Sequence, residues 1–100
     1  MMASQAASYN LFVGVDIAKA SASVAWMTSG RKPSRAMTIE QTPQGFRSLQ
    51  QRLLSTGHAA RTILVVMEAT GSYWMNLALS LTQAGFQVSV INPAQAHHAR

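Results

Sequence analysis

The spacing of the apolar residues first changes at Thr42-Pro43, and that change limits the possible folds more than any other feature. Before it, short apolar or alternating runs follow one another with few residues between them. Such runs are typical of strands, and connections this short join antiparallel neighbours. The first part of the sequence therefore predicts a three-stranded antiparallel meander over residues 11–17, 21–28 and 35–41.

After this point the apolar residues recur at helical spacing. Thr42 is a predicted N-cap, because its hydroxyl can accept a free N–H of the first turn, and Pro43 suits the first helical position. Gly57 is the expected end of the helix. The residues at helical spacing, which should form its apolar face, are Phe46, Leu49, Leu53 and Leu54.

The rest of the sequence alternates between the two patterns. The continuous apolar run at 61–68 predicts a buried strand, and residues 72–85 predict a helix capped by Ser72. A last strand is expected at 86–92, after which Pro93 is placed to open another helix. The run at 11–17 is likewise predicted to be a buried strand.

The predicted element order is β-β-β-α-β-α-β. Strand-helix-strand connections join parallel neighbours and are right-handed, so the last two strands must add on the free side of the first. We therefore expect an α/β fold with a mixed five-stranded sheet in the order 3-2-1-4-5, flanked by helices. Residues 1–10 are expected to form a flexible arm and residues 11–100 one domain.

Composition indicates the class of partner. Eight Lys and Arg against three acids give a formal charge of +5 and a pI near 10.9, which favours polyanions. Only 11% of residues are charged, against roughly 25% in typical soluble domains, so part of the surface is either covered by more chain or unusually rich in Ala, Ser and Gln. The absence of cysteine, of a bilayer-length apolar run and of a signal peptide predicts a soluble, cytoplasmic protein without a membrane partner.

Two of the three acids stand at the ends of apolar strands. Asp16 and Glu68 lie near the carboxyl ends of strands predicted to be parallel neighbours, the edge at which α/β sheets place ligand chemistry. Two converging carboxylates repel unless a cation lies between them, and oxygen ligands without cysteine favour Mg²⁺ or Mn²⁺. The alternative is structural: Asp16 caps the hairpin turn, and Glu68 pairs with a nearby arginine or caps the next helix.

Four cations are candidates for contact with a nucleic-acid backbone: Lys19, which could reach a phosphate at the acidic site, and the cluster Arg31, Lys32 and Arg35. Arg47, Arg52 and Arg61 were weighed for the same role. For each of these residues, Lys19 included by a small margin, a solvated surface position is the stronger expectation. Tyr73 and Trp74 are expected to pack rather than stack on bases, Thr70 and Ser72 lack an activating base, and a surface or structural role is expected for His97 and His98.

Three segments carry a family resemblance: "VGVDIAKASASVAW", "TPQGFRSLQQRL" and "VVMEATGSYWMNLALSLTQAGFQVSVINPAQAH". They resemble the N-terminal domain of the DEDD-type transposases of IS110 and IS1111 insertion sequences, a group that includes the pilin-gene invertases. The resemblance runs from about residue 11 to residue 100. It implies an RNase H-like, RuvC-like fold, in agreement with the strand order expected from the periodicity.

The resemblance also implies a function. Members of the family carry a four-acid, Mg²⁺-dependent site whose first two acids match Asp16 and Glu68, and they recombine DNA under the direction of a structured RNA. The other two aspartates are expected beyond residue 100, together with a C-terminal domain that carries a nucleophilic serine. We therefore expect a DNA transposase or recombinase that is homo-oligomeric when full length, and a fragment that is inactive by itself.

Two alternatives come from other classes. Sugar-kinase-type and actin-like ATPase lobes also begin "V-G-x-D-I", but their hairpin carries glycine and a hydroxyl directly after the aspartate, whereas this chain has "DIAKAS". The other alternative is a non-enzymatic module that binds nucleic acid. ATP binding would favour the first, and nucleic-acid binding without metal-dependent chemistry the second.

Overall fold

Strands and helices follow one another in the predicted order. The structure, a computed structural model, describes residues 9–28, 30–69 and 71–92. Its elements are β1 (Leu11–Ile17), β2 (Ser21–Met27), β3 (Met37–Glu40), α1 (Pro43–Leu54), a short 3-10 turn (Ala60–Thr62), β4 (Ile63–Glu68), α2 (Met75–Gln83) and β5 (Gln87–Ile91).

The five strands form one mixed sheet in the order β3-β2-β1-β4-β5, which confirms the predicted order and the α/β class. β2 pairs antiparallel with β1 and with β3, and β4 pairs parallel with β1 and with β5. The tight turn between β1 and β2 allows only an antiparallel pair. The helical connections carry the chain back across the sheet, so β4 and β5 run parallel to β1.

Both helices pack on the same face of the sheet. Alternate residues of the strands point to this face, and the side chain of Gln50 on α1 bonds to Ser80 on α2 (2.8 Å between Nε2 and Oγ). The buried core between sheet and helices consists of Leu11, Val13, Val15, Ala22, Val24, Ile39, Phe46, Leu49, Leu53, Ile63, Val65, Met67, Leu77, Ala78, Leu81 and Phe86.

The opposite face of the sheet is open within the described part of the chain. On β1 the residues Phe12, Gly14 and Asp16 are exposed, whereas the residues between them are buried. On β4 buried residues alternate with half-buried ones, and the strand ends on the exposed Glu68. The prediction that both central strands are continuously buried is therefore wrong. Their unbroken apolar sequence does not distinguish one covered face from two.

Helix α1 begins as predicted. The Gly45 N–H donates to the hydroxyl of Thr42 (3.0 Å between N and Oγ1), and Pro43 occupies the first turn, where no N–H is needed. The helix ends at Leu54, and the chain leaves the following turn through Gly57, whose φ of +92° favours glycine.

Helix α2 begins three residues later than predicted, at Met75. Ser72 is not its cap: the N-cap position is Trp74, which makes no capping hydrogen bond through its side chain. Residues 71–74 form turns instead, and the indole N–H of Trp74 donates to the Gly71 carbonyl (3.1 Å). The indole also packs against the core, as expected.

Several predictions fall outside the described residues: most of the arm over 1–10, the role of Thr70, the helix opened by Pro93, and the two histidines His97 and His98. In the ranges that are described, no helix has the length and apolar character needed to cross a membrane.

Candidate functional site

Asp16 and Glu68 lie side by side at the end of the sheet. The paired register of β1 and β4 ends at Val15 opposite Met67, so the next residue of each strand is a carboxylate. Residues in register on parallel strands point to the same face, and adjacent strands are about 4.8 Å apart. The two exposed carboxylates therefore share one end of the open face, as their positions in the sequence predict.

A depression of about 590 Å³ lies beside the carboxylates. Its floor is made of small side chains, because Gly14 and Ala25 are neighbours on the open face of β1 and β2. Ser23, the partner of Asp16 in the β1–β2 register, adds a hydroxyl. The lining residues are Gly14, Val15, Asp16, Ser23, Ala25, Val66, Met67, Glu68 and Ile91.

The structural alternatives for the two acids are not seen. Within residues 9–28, 30–69 and 71–92, neither carboxylate takes part in an ion pair or a hydrogen bond. The β1–β2 turn is closed by backbone groups, with the Ala18 N–H donating to the Ser21 carbonyl (2.9 Å), and α2 has no side-chain cap. Over the described residues the two neighbouring carboxylates are therefore left without a cationic partner.

This donor set fits a hard divalent cation. Carboxylate and hydroxyl oxygens suit Mg²⁺ and Mn²⁺, and Mg²⁺ is often held by one or two carboxylates, with water and substrate phosphates completing its octahedron. Over the described part of the chain, no group of three or more His, Cys, Asp or Glu residues is placed to hold a metal. The described residues therefore offer two carboxylates to an ion, and any further protein ligands would have to come from elsewhere.

The four cations named from the sequence are all exposed but do not form one cluster. Lys19 is in the β1–β2 turn, next to the end that carries Asp16. Arg31, Lys32 and Arg35 belong to the β2–β3 connection, which follows Met27.

The register of the strands shows how far each part of the β2–β3 connection lies from the carboxylates. Met27 pairs with Phe12, four residues before Asp16 on β1. Four strand residues span about 13 Å, so the first part of the connection, with Arg31 and Lys32, lies about that far from the carboxylates along the sheet.

The last part of the connection returns towards the carboxylates, because the Ser34 N–H donates to the Trp26 carbonyl (2.7 Å) and Met37 pairs with Val24, the partner of Val15. Arg35 therefore lies nearer to the acids along the sheet, on the β3 side.

Sequence reasoning missed the floor of the depression. Gly14 could have been found, since it is two residues before Asp16 and so points to the same face. Ser23 required the hairpin register. Arg52, weighed for nucleic-acid contact, instead lies over the Trp26 ring (5.3 Å from guanidinium carbon to centroid) and is 3.4 Å from the Ser55 hydroxyl.

The strand order and the paired strand-end carboxylates define an RNase H-like domain. The chain belongs to the DEDD transposases of the IS110 type, because the model of that transposase family matches residues 13–100. This membership confirms the predicted family and accounts for the agreement in fold.

Two relatives are pilin gene-inverting proteins. The protein from Moraxella lacunata is 30% identical over 86 residues, and the one from Moraxella bovis 29% identical over 86 residues. Each alignment covers 86% of this chain and 26% of the relative, so the chain spans about a quarter of the length of these proteins.

A solved structure shares the fold. It is a Bacteroides thetaiotaomicron protein with an actin-like ATPase fold and unknown function, at a TM-score of 0.68 and 18% identity. The alignment covers 88% of this chain and 35% of that one. At this identity the likeness shows the fold alone. The family match therefore favours the transposase prediction over the ATPase alternative.

Proposed function

We propose that this chain is the catalytic RNase H-like domain of a transposase or recombinase that acts on DNA phosphodiesters with Mg²⁺ or Mn²⁺. Asp16 and Glu68 are the proposed catalytic residues and metal ligands. One observation carries the proposal: two exposed carboxylates directly follow the last paired residues of two parallel neighbouring strands, and among the described residues no cation pairs with either of them. Family membership supplies the class of reaction, and the pilin gene-inverting relatives support recombination of DNA.

In this mechanism the chain holds the metal and receives the DNA backbone. When bound, a divalent ion would stabilise negative charge on the phosphate and its leaving oxygen. Asp16 and Glu68 would provide two of its oxygen ligands. The small floor at Gly14 and Ala25 leaves space for a sugar-phosphate backbone beside the carboxylates, and the Ser23 hydroxyl can bond to a phosphate oxygen or a water molecule.

The basic residues have two proposed tasks. Lys19, at the end of the sheet that carries the acids, is placed to contact a phosphate near the reacting one. Arg31 and Lys32, in the first part of the β2–β3 connection, lie too far away for that role. A separation of about 13 Å corresponds to about four nucleotides along one strand, so we assign these two residues to backbone contacts remote from the reaction. Arg35, which precedes β3, is also assigned to the DNA backbone.

The proposal extends to the whole protein. A DNA substrate, a guide RNA, a homo-oligomeric assembly and a location in the bacterial cytoplasm are what the family resemblance implies. The net charge of +5 is consistent with a nucleic-acid partner.

The chain offers a matched control for the substitution of its two proposed catalytic acids. Asp16→Asn and Glu68→Gln should each abolish excision or inversion by the whole protein while leaving the far-UV circular dichroism spectrum unchanged. Glu40→Gln should remain active, because Glu40, the third acid of the chain, lies on the edge strand β3. Full activity of either active-site variant would refute the assignment.

Metal binding is tested separately. Titration of this chain with Mn²⁺, followed by electron paramagnetic resonance, should show binding that is lost in Asp16→Asn and kept in Glu40→Gln. Equal binding by all three proteins would place the ion elsewhere. In a calorimetric titration ATP should give no binding heat, whereas saturable binding would support the ATPase alternative.

A further inference from the structure

Gln41 makes a bridge that its sequence context does not reveal. It lies between β3 and α1 and is partly exposed. Its side-chain nitrogen donates to the Ala18 carbonyl (2.9 Å) and to the Tyr73 carbonyl (2.9 Å). A primary amide has two N–H groups, so both donors are used. Its backbone N–H donates to a third carbonyl, that of Ala20 (3.0 Å).

The three acceptors belong to the two segments that leave the acid-bearing strands. Ala18 and Ala20 flank Lys19 in the turn after β1, two and four residues beyond Asp16. Tyr73 lies in the segment between β4 and α2, beyond Glu68. Gln41 therefore bonds to the β1–β2 turn on both sides of Lys19. It also joins this turn to the segment between Glu68 and α2.

Three consecutive described residues before α2, Gly71, Ser72 and Tyr73, are exposed, and Gly71 has a φ of +62°. Trp74, which follows them, packs against the core and donates to the Gly71 carbonyl (3.1 Å). Exposed segments of this kind open readily unless hydrogen bonds hold them. Glu68 is the last residue of β4, so opening of this segment would loosen the strand end that fixes its carboxylate.

We propose that Gln41 is a positioning residue for the two-carboxylate site. It fixes the Lys19 turn and the 71–74 segment in one arrangement, and through them the end of the sheet where the carboxylates stand. The catalytic part of this inference rests on the proposed function, whereas the bridge itself does not.

The two N–H donors of the side-chain amide and the length of the side chain explain why glutamine is needed at this position. Glutamate would present an acceptor to two carbonyl oxygens, and asparagine is one methylene too short to span both. Leucine keeps the approximate size and removes both donors. Gln50→Leu is a matched control, because Gln50 also bonds through its side chain, to the Ser80 hydroxyl (2.8 Å), but joins α1 to α2 away from the site.

The bridge is tested first in the unaltered chain. Both Nε2 protons of Gln41 should exchange with solvent more slowly than those of the exposed Gln44 in nuclear magnetic resonance spectra. Equal exchange rates would overturn the inference without the need for any variant.

The second test compares backbone hydrogen exchange among variants. Gln41→Leu should accelerate exchange in residues 17–20 and 71–74 by about ten- to a hundredfold, since two hydrogen bonds no longer hold these segments closed. Gln50→Leu should leave both segments unchanged. Unchanged exchange in Gln41→Leu, or an equal acceleration in both variants, would overturn the inference.

The functional test uses the whole protein. Gln41→Leu should lower the rate of DNA strand cleavage at saturating DNA by about tenfold or more and weaken Mn²⁺ binding, while the DNA dissociation constant stays within about twofold. If Gln41→Leu is fully active while Asp16→Asn is inactive, the positioning role fails and the proposed function stands. If Asp16→Asn is active, the proposed function fails and the positioning role fails with it.

Discussion

The close approach of α1 to the end of β3 leads to a sharp prediction at Gly45. A Cβ built on this residue meets the backbone of Glu40: it clashes with the carbonyl oxygen and lies 2.9 Å from the carbonyl carbon and 3.2 Å from the nitrogen. No side-chain rotation relieves a clash with backbone, so either β3 or the first turn of α1 must move. Gly45→Ala should therefore destabilise the fold although alanine is the better helix former.

The change in the free energy of unfolding caused by Gly45→Ala is the balance of opposing effects. Alanine favours a helix interior over glycine by about 0.8–1 kcal/mol. Overpacking against a fixed structure costs about 1–3 kcal/mol, and moving the first turn also weakens the bond from the Gly45 N–H to Thr42, whose loss costs about 0.5–2 kcal/mol. We expect a net loss of about 1–3 kcal/mol, which lowers the melting temperature of a domain this size by about 5–20 °C.

The assay is urea and thermal unfolding followed by circular dichroism, with Gly14→Ala as the control. A Cβ at Gly14 meets nothing within 4 Å, so the same substitution there should gain about 0.5–1 kcal/mol by removing the entropic cost of glycine in a strand. A Gly45→Ala protein as stable as the unaltered chain would refute the argument that helix and strand touch at this point.

Three further predictions follow from individual contacts. Thr42→Ala should lower the free energy of unfolding by about 1 kcal/mol, measured in urea, because the Gly45 N–H loses its acceptor; no loss would mean that the cap does not contribute. Leu81→Ala should cost about 2–5 kcal/mol and Leu79→Ala less than about 0.5 kcal/mol, since the first side chain is buried and the second is 57% exposed; equal costs would contradict the assigned helix face. Gly14→Val should fold normally but reduce strand cleavage by the whole protein about tenfold or more, because its side chain projects into the depression beside the carboxylates; full activity would show that DNA does not approach there.

The sequence determined the order of elements and the strand order of the sheet. Hydrophobic period, the Thr42-Pro43 start and the short first connections are local signals, and the handedness of crossovers converts them into a topology. The proximity of Asp16 and Glu68 was predictable for the same reason, because each lies at the end of a strand and the two strands are parallel neighbours. The start of α2 was missed, because Ser72 has the residue type of a cap but lies in a turn.

Only the tertiary structure decided which face of the sheet is covered, where the basic cluster lies and what Gln41 does. A strand of unbroken apolar sequence is compatible with one covered face or two, and the choice depends on where both helices pack. The separation of Arg31 and Lys32 from the acids follows from the hairpin register. The side chain of Gln41 bonds to residues 23 and 32 positions away, and contacts at that distance exist only once the chain has folded.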